Sequence, residues 1–158
     1  MNNETYVDWS GHYLKLTWLP NKNIHDYSQV TSVHGVCFYN ENVLLVHVDG
    51  RGFNFPGGHI ENEETPEEAF EEGYVKGPVN YIGAIEVSHE ENPLFKAEYP
   101  LIGYQMFYCM EVQDCLPFLR EHETISRIWV EPDEVLYVIN DHEFSLLILQ
   151  EALSNKLS

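Results

Sequence analysis

Positive charge is scarce in this sequence. Its 158 residues carry eight Lys and Arg against 26 Asp and Glu, a formal net charge of −18 with His neutral. Binding nucleic acid needs clustered cations that displace counterions from phosphates. Anionic membrane surfaces need the same. Both are therefore excluded as unassisted partners. Cysteine is scarce too: Cys37, Cys109 and Cys115 form an odd set with no C-x-x-C spacing. Neither a disulfide framework nor a thiolate zinc site is expected, and a reducing cytoplasm suits three free thiols. No stretch approaches the roughly 20 apolar residues of a membrane span. The opening Met1-Asn2-Asn3-Glu4-Thr5 is polar and acidic, unlike a signal peptide. There is no P-loop, no G-x-G-x-x-G and no G-x-S-x-G elbow.

What is present suits a packed domain. Apolar residues make up 44% and aromatics 13%, which excludes a disordered chain. The length predicts one domain, 1–158, burying roughly 68–70% of its unfolded surface. Residues 12–18 read as a strand with Leu14, Leu16 and Trp18 on one face. Residues 31–39 and 43–48 read as strands joined by a turn at Asn40-Glu41-Asn42. Asp49-Gly50-Arg51-Gly52 breaks the second of these, Phe53-Asn54-Phe55 alternates briefly, and Pro56-Gly57-Gly58 reads as a tight loop. A helix follows: Thr65 is the N-cap, Pro66 takes the first helical position, and Glu68 completes a capping box. Ala69, Phe70 and Tyr74 are its buried stripe, and Gly77-Pro78 its stop. Strands are predicted near 80–88, 101–112 and 127–130. A last helix runs from Asp141 to Leu153, with Phe144, Leu147, Ile148 and Leu153 facing a core. The pattern predicts an α+β chain, a mixed sheet packed between helices.

The chemistry is concentrated after the glycine pair. Seven carboxylates lie between Glu61 and Glu72. A helix dipole favours acids in the first turn by about 0.3–1 kcal/mol each, which covers Glu67 and Glu68 but not the rest. Such a run is either a solvated face or a place for a divalent cation.

Phe55-Pro56-Gly57-Gly58-His59-Ile60-Glu61, then Glu64-Thr65-Pro66-Glu67-Glu68-Ala69, resembles the first half of a Nudix box. The flanking segments agree with it: Arg51-Gly52-Phe53-Asn54-Phe55-Pro56 before, and Tyr81-Ile82-Gly83 and Ile128-Trp129-Val130-Glu131-Pro132-Asp133-Glu134 after. The resemblance spans residues 31–150. It implies the Nudix α/β/α sandwich with a mixed β-sheet. It also implies pyrophosphohydrolysis of a nucleoside diphosphate-linked, nucleotide-like small molecule with Mg²⁺ or Mn²⁺ held by helix glutamates. Many members of the family pair, so the resemblance leaves a homodimer open without the sequence deciding it.

The second half of the box departs from the family pattern. Gly58 and Glu64 match its first two fixed positions. Glu72 then stands where Arg belongs, and Gly73 where the next Glu belongs. The two metal-binding Glu positions hold Lys76 and Gly77; Val79 replaces the last Gly. Glu64 thus meets a like charge instead of an arginine. The replacement acids on offer are Glu64, Glu68 and Glu72, with Glu68, Glu72 and the Gly58 carbonyl as a displaced metal set. Arg51 and Phe53 flank the loop and His59 follows it; all three are candidates to contact a ligand, with ordinary core packing the other reading of Phe53. Glu91, in the His89-Glu90-Glu91 run, falls where the family supplies substrate contacts or a base. Two readings follow: a divergent, weak pyrophosphohydrolase, or a catalytically inactive Nudix pseudoenzyme that binds a ligand or a protein. Cys37, in an apolar strand, reads as inert packing.

Overall fold

The computed structural model describes residues 3–48, 52–59, 75–98, 100–115, 124–139 and 144–156. Two tight hairpins open the chain. Ser10 and Gly11 take φ of 56° and 93°, which folds β1 (Glu4–Trp9) back on β2 (His12–Pro20). Asn40 and Glu41, at φ 48° and 70°, do the same between β3 (Val30–Tyr39) and β4 (Asn42–Val48). Two left-handed residues in a row match the twist of the flanking strands.

With β8 (Val79–Ser88), β9 (Ile102–Glu111) and β11 (Thr124–Val130), these strands form one sheet in the order β1-β2-β8-β9-β3-β4-β11. Neighbours run antiparallel except β9 and β3, which run parallel. The sheet is forked. β3 and β4 pair only at Phe38↔Val43 and Tyr39↔Asn42. Into the gap come β5 (Gly52–Asn54), paired with β4, and β6 (Gly57–His59), paired with β3. The predicted tight loop at Pro56-Gly57-Gly58 is therefore the entry to a short strand. β3 has parted from β4 there, so its edge takes β6 instead, and the Gly35 amide donates to the Pro56 carbonyl at 2.9 Å.

A second correction concerns the predicted helix stop. Val75–Lys76 is a strand, β7, paired with β10 (Asp114–Cys115). The chain is extended before Gly77 is reached, so Gly77 is not a helix cap. It is glycine because the backbone crosses the Glu111 carbonyl too closely for a β-carbon. The predicted helix itself, within residues 60–74, and the Asp141 cap lie outside the described residues.

Both faces of the sheet are buried, as a sandwich requires. Helix α1 (Ser145–Lys156) closes one face, setting Ile148, Leu149 and Ala152 against Leu16, Trp18 and Phe107. The opposite face buries Val33, Cys37, Leu44, Val75 and Met106. The central strands serve both cores by period two: in β9, Met106, Tyr108 and Met110 face one way, Phe107 and Cys109 the other. In β8 a bulge between Tyr81 and Gly83 breaks that period and brings Ile82 and Ile85 to the same core. The result is the expected α+β architecture, a mixed sheet in an α/β/α sandwich. No helix among the described residues is long and apolar enough to cross a membrane.

Candidate functional site

A cavity of about 270 Å³ lies between the sheet and the first turn of α1. Strand register builds its floor. Ser32 of β3 stands beside Gln105 of β9, and His34 beside Phe107. Ile85 of β8 stands on the other side of Gln105. Phe144, Ser145 and Ile148 form one wall, Trp9 another, and Asn54, Gly57 and Gly58 a third. His34 is fixed twice. Its ring stacks on Phe107 at 5.0 Å between centroids and 23° between planes, and its Nε2 lies 3.0 Å from the buried Ser32 hydroxyl.

The described lining holds one titratable side chain, the His34 imidazole. Among the described residues, no Asp, Glu, Lys or Arg lines the cavity. What it presents instead is aromatic and aliphatic surface with a few amides and hydroxyls, the usual make-up of a small-molecule site.

The two glycines at its edge do different jobs. A β-carbon on Gly57 would lie 2.1 Å from the Val33 carbonyl oxygen and 2.6 Å from His34 Nδ1. Only a residue without one lets this backbone lie on β3. At Gly58 a β-carbon would meet nothing within 4 Å, so its contribution is its backbone.

The sequence-predicted site residues are not all brought together. Glu64, Glu68, Glu72 and Arg51 lie outside the described residues. Gly58 lines the cavity and pairs with Val33. His59 ends β6 with its backbone opposite Ser32. Phe53 packs edge-on to His47 at 4.9 Å and leans on the core; it does not line the cavity. Glu91 is exposed and accepts a hydrogen bond from the Tyr6 hydroxyl, which pushes that phenol's pKa up. It does not line the cavity either. Lys76 is exposed on β7 opposite Asp114. Lys76 and Gly77 therefore stand in and just after an extended segment and offer no carboxylate. Among the described residues no three His, Cys, Asp or Glu side chains converge to hold a metal. The described part of the chain does not by itself fit a divalent cation. Cys37 is fully buried, and burial, then the neighbouring Cys109, drives its thiol pKa well up, in keeping with inert packing.

No sequence-family profile matches the chain, and no curated protein does. Solved structures do match. The Bacillus subtilis pyrophosphohydrolase BsRppH is similar with a TM-score of 0.65 at 19% identity, over 97% of this chain and 96% of its own. A Nudix hydrolase from Nitrosomonas europaea gives 0.57 at 16%, over 80% and 90%. The Nudix domain of Shewanella oneidensis NrtR, solved with ADP ribose, gives 0.57 at 19%, over 82% and 89%.

The chain has the Nudix fold.

Several cavity residues of this Nudix fold were not singled out from the sequence: Trp9, Ser32, His34, Gln105, Phe107 and Ser145. One signal was available. Ser32 and His34, two apart, interrupt an otherwise apolar strand on a single face. The others depend on register between distant strands, which a single sequence does not display.

Proposed function

We propose that the chain binds a nucleoside diphosphate-linked compound, with the nucleoside end in this cavity and the diphosphate beside the Gly57-Gly58 backbone, and that it hydrolyses this compound weakly. The observation that carries the reading is the described lining, aromatic rings beside the amides and hydroxyls of Gln105, Asn54, Ser32 and Ser145. A nucleobase is flat and uncharged with donor and acceptor edges, which amides and hydroxyls such as Gln105, Asn54 and Ser145 match. Phosphates, with no Lys or Arg among the described lining residues to receive them, stay beside the Gly57-Gly58 backbone; Arg51 and His59 are the candidates the sequence offers to meet them. The ADP-ribose complex of the NrtR Nudix domain supports the same ligand class.

Weak turnover follows from the acids that remain. Glu64, Glu68 and Glu72 are the replacement set, and Glu68, Glu72 and the Gly58 carbonyl are the proposed holders of Mg²⁺ or Mn²⁺. Such an ion, when bound, activates water and neutralises charge on the diphosphate. Lys76 favours the second reading, a Nudix pseudoenzyme that binds the intact ligand or a protein: an ammonium and a glycine stand where the family pattern has two glutamates.

The test is turnover with Mg²⁺ and Mn²⁺ on a panel of nucleoside diphosphate-linked compounds, read by mass spectrometry, beside the Glu64→Gln/Glu72→Gln double variant. Slow cleavage abolished in the variant supports the enzyme. Metal-independent binding without cleavage supports the pseudoenzyme. Neither binding nor cleavage across the panel would overturn both.

A further inference from the structure

The ladder between β2 and β8 ends at Lys15↔Ser88. The hairpin end from Trp9 to Leu14 projects past it and meets the connection at residues 89–98. Leu94 sits against the hairpin turn, its Cδ1 3.0 Å from where a Gly11 β-carbon would be. The two parts are joined by Asn92, which is 8% exposed. Its amide lies 3.1 Å from His12 Nδ1, 80 residues away in sequence, and 3.0 Å from His89 Nδ1.

Three contacts determine the protons here. The Leu94 backbone N–H reaches the Asn92 side chain at 3.0 Å and has only a hydrogen to give, so the atom it meets is Oδ1. The other end is then NH₂, which has only hydrogens to give. Both imidazoles must therefore accept at Nδ1, and both must be neutral with the proton on Nε2. An imidazolium at either position would turn an acceptor into a donor and set N–H against N–H.

We propose that Asn92 is the bolt of an acid-released latch, which holds the hairpin end, and with it Trp9 at the cavity wall, only while His12 and His89 are both uncharged. That Trp9 release reaches a bound ligand rests on the nucleoside-cavity reading; the latch itself does not. The other titratable groups on the elements that meet here are Glu4, Tyr6 and Asp8 on β1, Tyr13 and Lys15 on β2, and Glu90, Glu91, Lys96 and Glu98 on the connection. Most have work of their own. Asp8 accepts from the Gly11 amide at 2.8 Å, Glu90 from the Ser88 hydroxyl at 3.4 Å, Glu91 from Tyr6, and Lys15 pairs with Glu4 at 3.0 Å. Nearby carboxylates favour an imidazolium, yet burial first, and His12 second, push the His89 pKa down. The neutral state is the one this joint selects.

Hydrogen exchange of the full chain tests it. Protection of amides in residues 9–14, corrected for intrinsic exchange, falls at least tenfold between pH 8 and pH 5 in the wild type. In Asn92→Asp, whose carboxylate accepts from Nδ1–H, that loss disappears or reverses. Unchanged wild-type protection, or a loss in Asn92→Asp as large as in the wild type, would overturn the latch. Should the variant fail to fold, imidazole ¹⁵N chemical shifts of the wild type at pH 8 decide alone: both histidines protonated on Nε2 supports the latch, and either one protonated on Nδ1 overturns it. ADP-ribose binding at both pH values separates the two claims. A latch that opens while ADP-ribose binds at neither pH refutes the cavity reading for this ligand and leaves the latch standing.

Discussion

Replacing Gly57 by Ala should cost stability out of proportion to the one methyl added. The new carbon would lie 2.1 Å from the Val33 carbonyl oxygen and 2.7 Å from His34 Cα. Both are backbone atoms in a central strand, so neither side can yield by rotating a side chain. Ordinary contact begins near 3.4 Å, so β6 must withdraw by roughly 1 Å or more. That breaks the 2.9 Å bond from the Gly35 amide to the Pro56 carbonyl and loosens the pairing at His34↔Gly57. Each lost backbone bond is worth about 0.5–1.5 kcal/mol, and a buried amide left unpaired costs about 1–3 kcal/mol. The expected loss is about 2–4 kcal/mol, or a Tm lower by about 4–15 °C at this chain length. Gly58→Ala is the control: with nothing within 4 Å, it should shift stability by about 0.5 kcal/mol at most, or raise it by restricting the unfolded chain. Urea unfolding of the pair gives both numbers. Equal stability of the two variants would refute the claim that Gly57 is there for close approach.

Three further outcomes are expected. Native protein should expose one thiol to a disulfide reagent, Cys115, with Cys37 and Cys109 reacting only in denaturant; two or more fast thiols would contradict the packing. Phe38→Ala, at a fully buried ring, should cost about 3–5 kcal/mol by urea unfolding, whereas a loss under about 1 kcal/mol would mean that the core is not where it is drawn. Because the His89 pKa is depressed in the native state, the unfolded chain binds a proton that the native chain refuses. The stabilising contribution is complete above the usual 6.5 and is lost as pH falls below it. Urea midpoints should therefore decline more steeply on acidification in the wild type than in His89→Gln; parallel curves would contradict this.

Much of the fold was legible because its signals are local. Leu14, Leu16 and Trp18 alternate and are all buried. Asn40-Glu41 carries its hairpin in two residues. Phe144 and Ile148 keep helical spacing and meet the core. Strand β1 went unread because Glu4 to Trp9 is half polar and borders solvent, although Ser10-Gly11 marked the turn. The strand at Val75–Lys76 was hidden by a good helix stop beside it. Its pairing with Asp114–Cys115 is a tertiary choice that overrides the local signal. The site was less legible than the fold. The glycine pair and its flanks pointed to the Nudix resemblance, but the cavity is assembled from Ser32, Gln105, Trp9 and Ser145 across four separate segments. Phe53, conspicuous in sequence, leans on the core instead.

The central claim is that the cavity over Ser32, Gln105 and Phe107 receives the nucleoside end of a diphosphate-linked ligand, and one titration tests it most directly. ADP-ribose is titrated calorimetrically into the wild type and into Gln105→Leu, which keeps the side-chain bulk and removes the amide between Ser32 and Ile85. Loss of one hydrogen-bonding partner to a desolvated base costs about 1–3 kcal/mol, so affinity should fall about fivefold or more at unchanged Tm. Equal affinity in the two proteins, or no heat of binding in the wild type, would contradict the account.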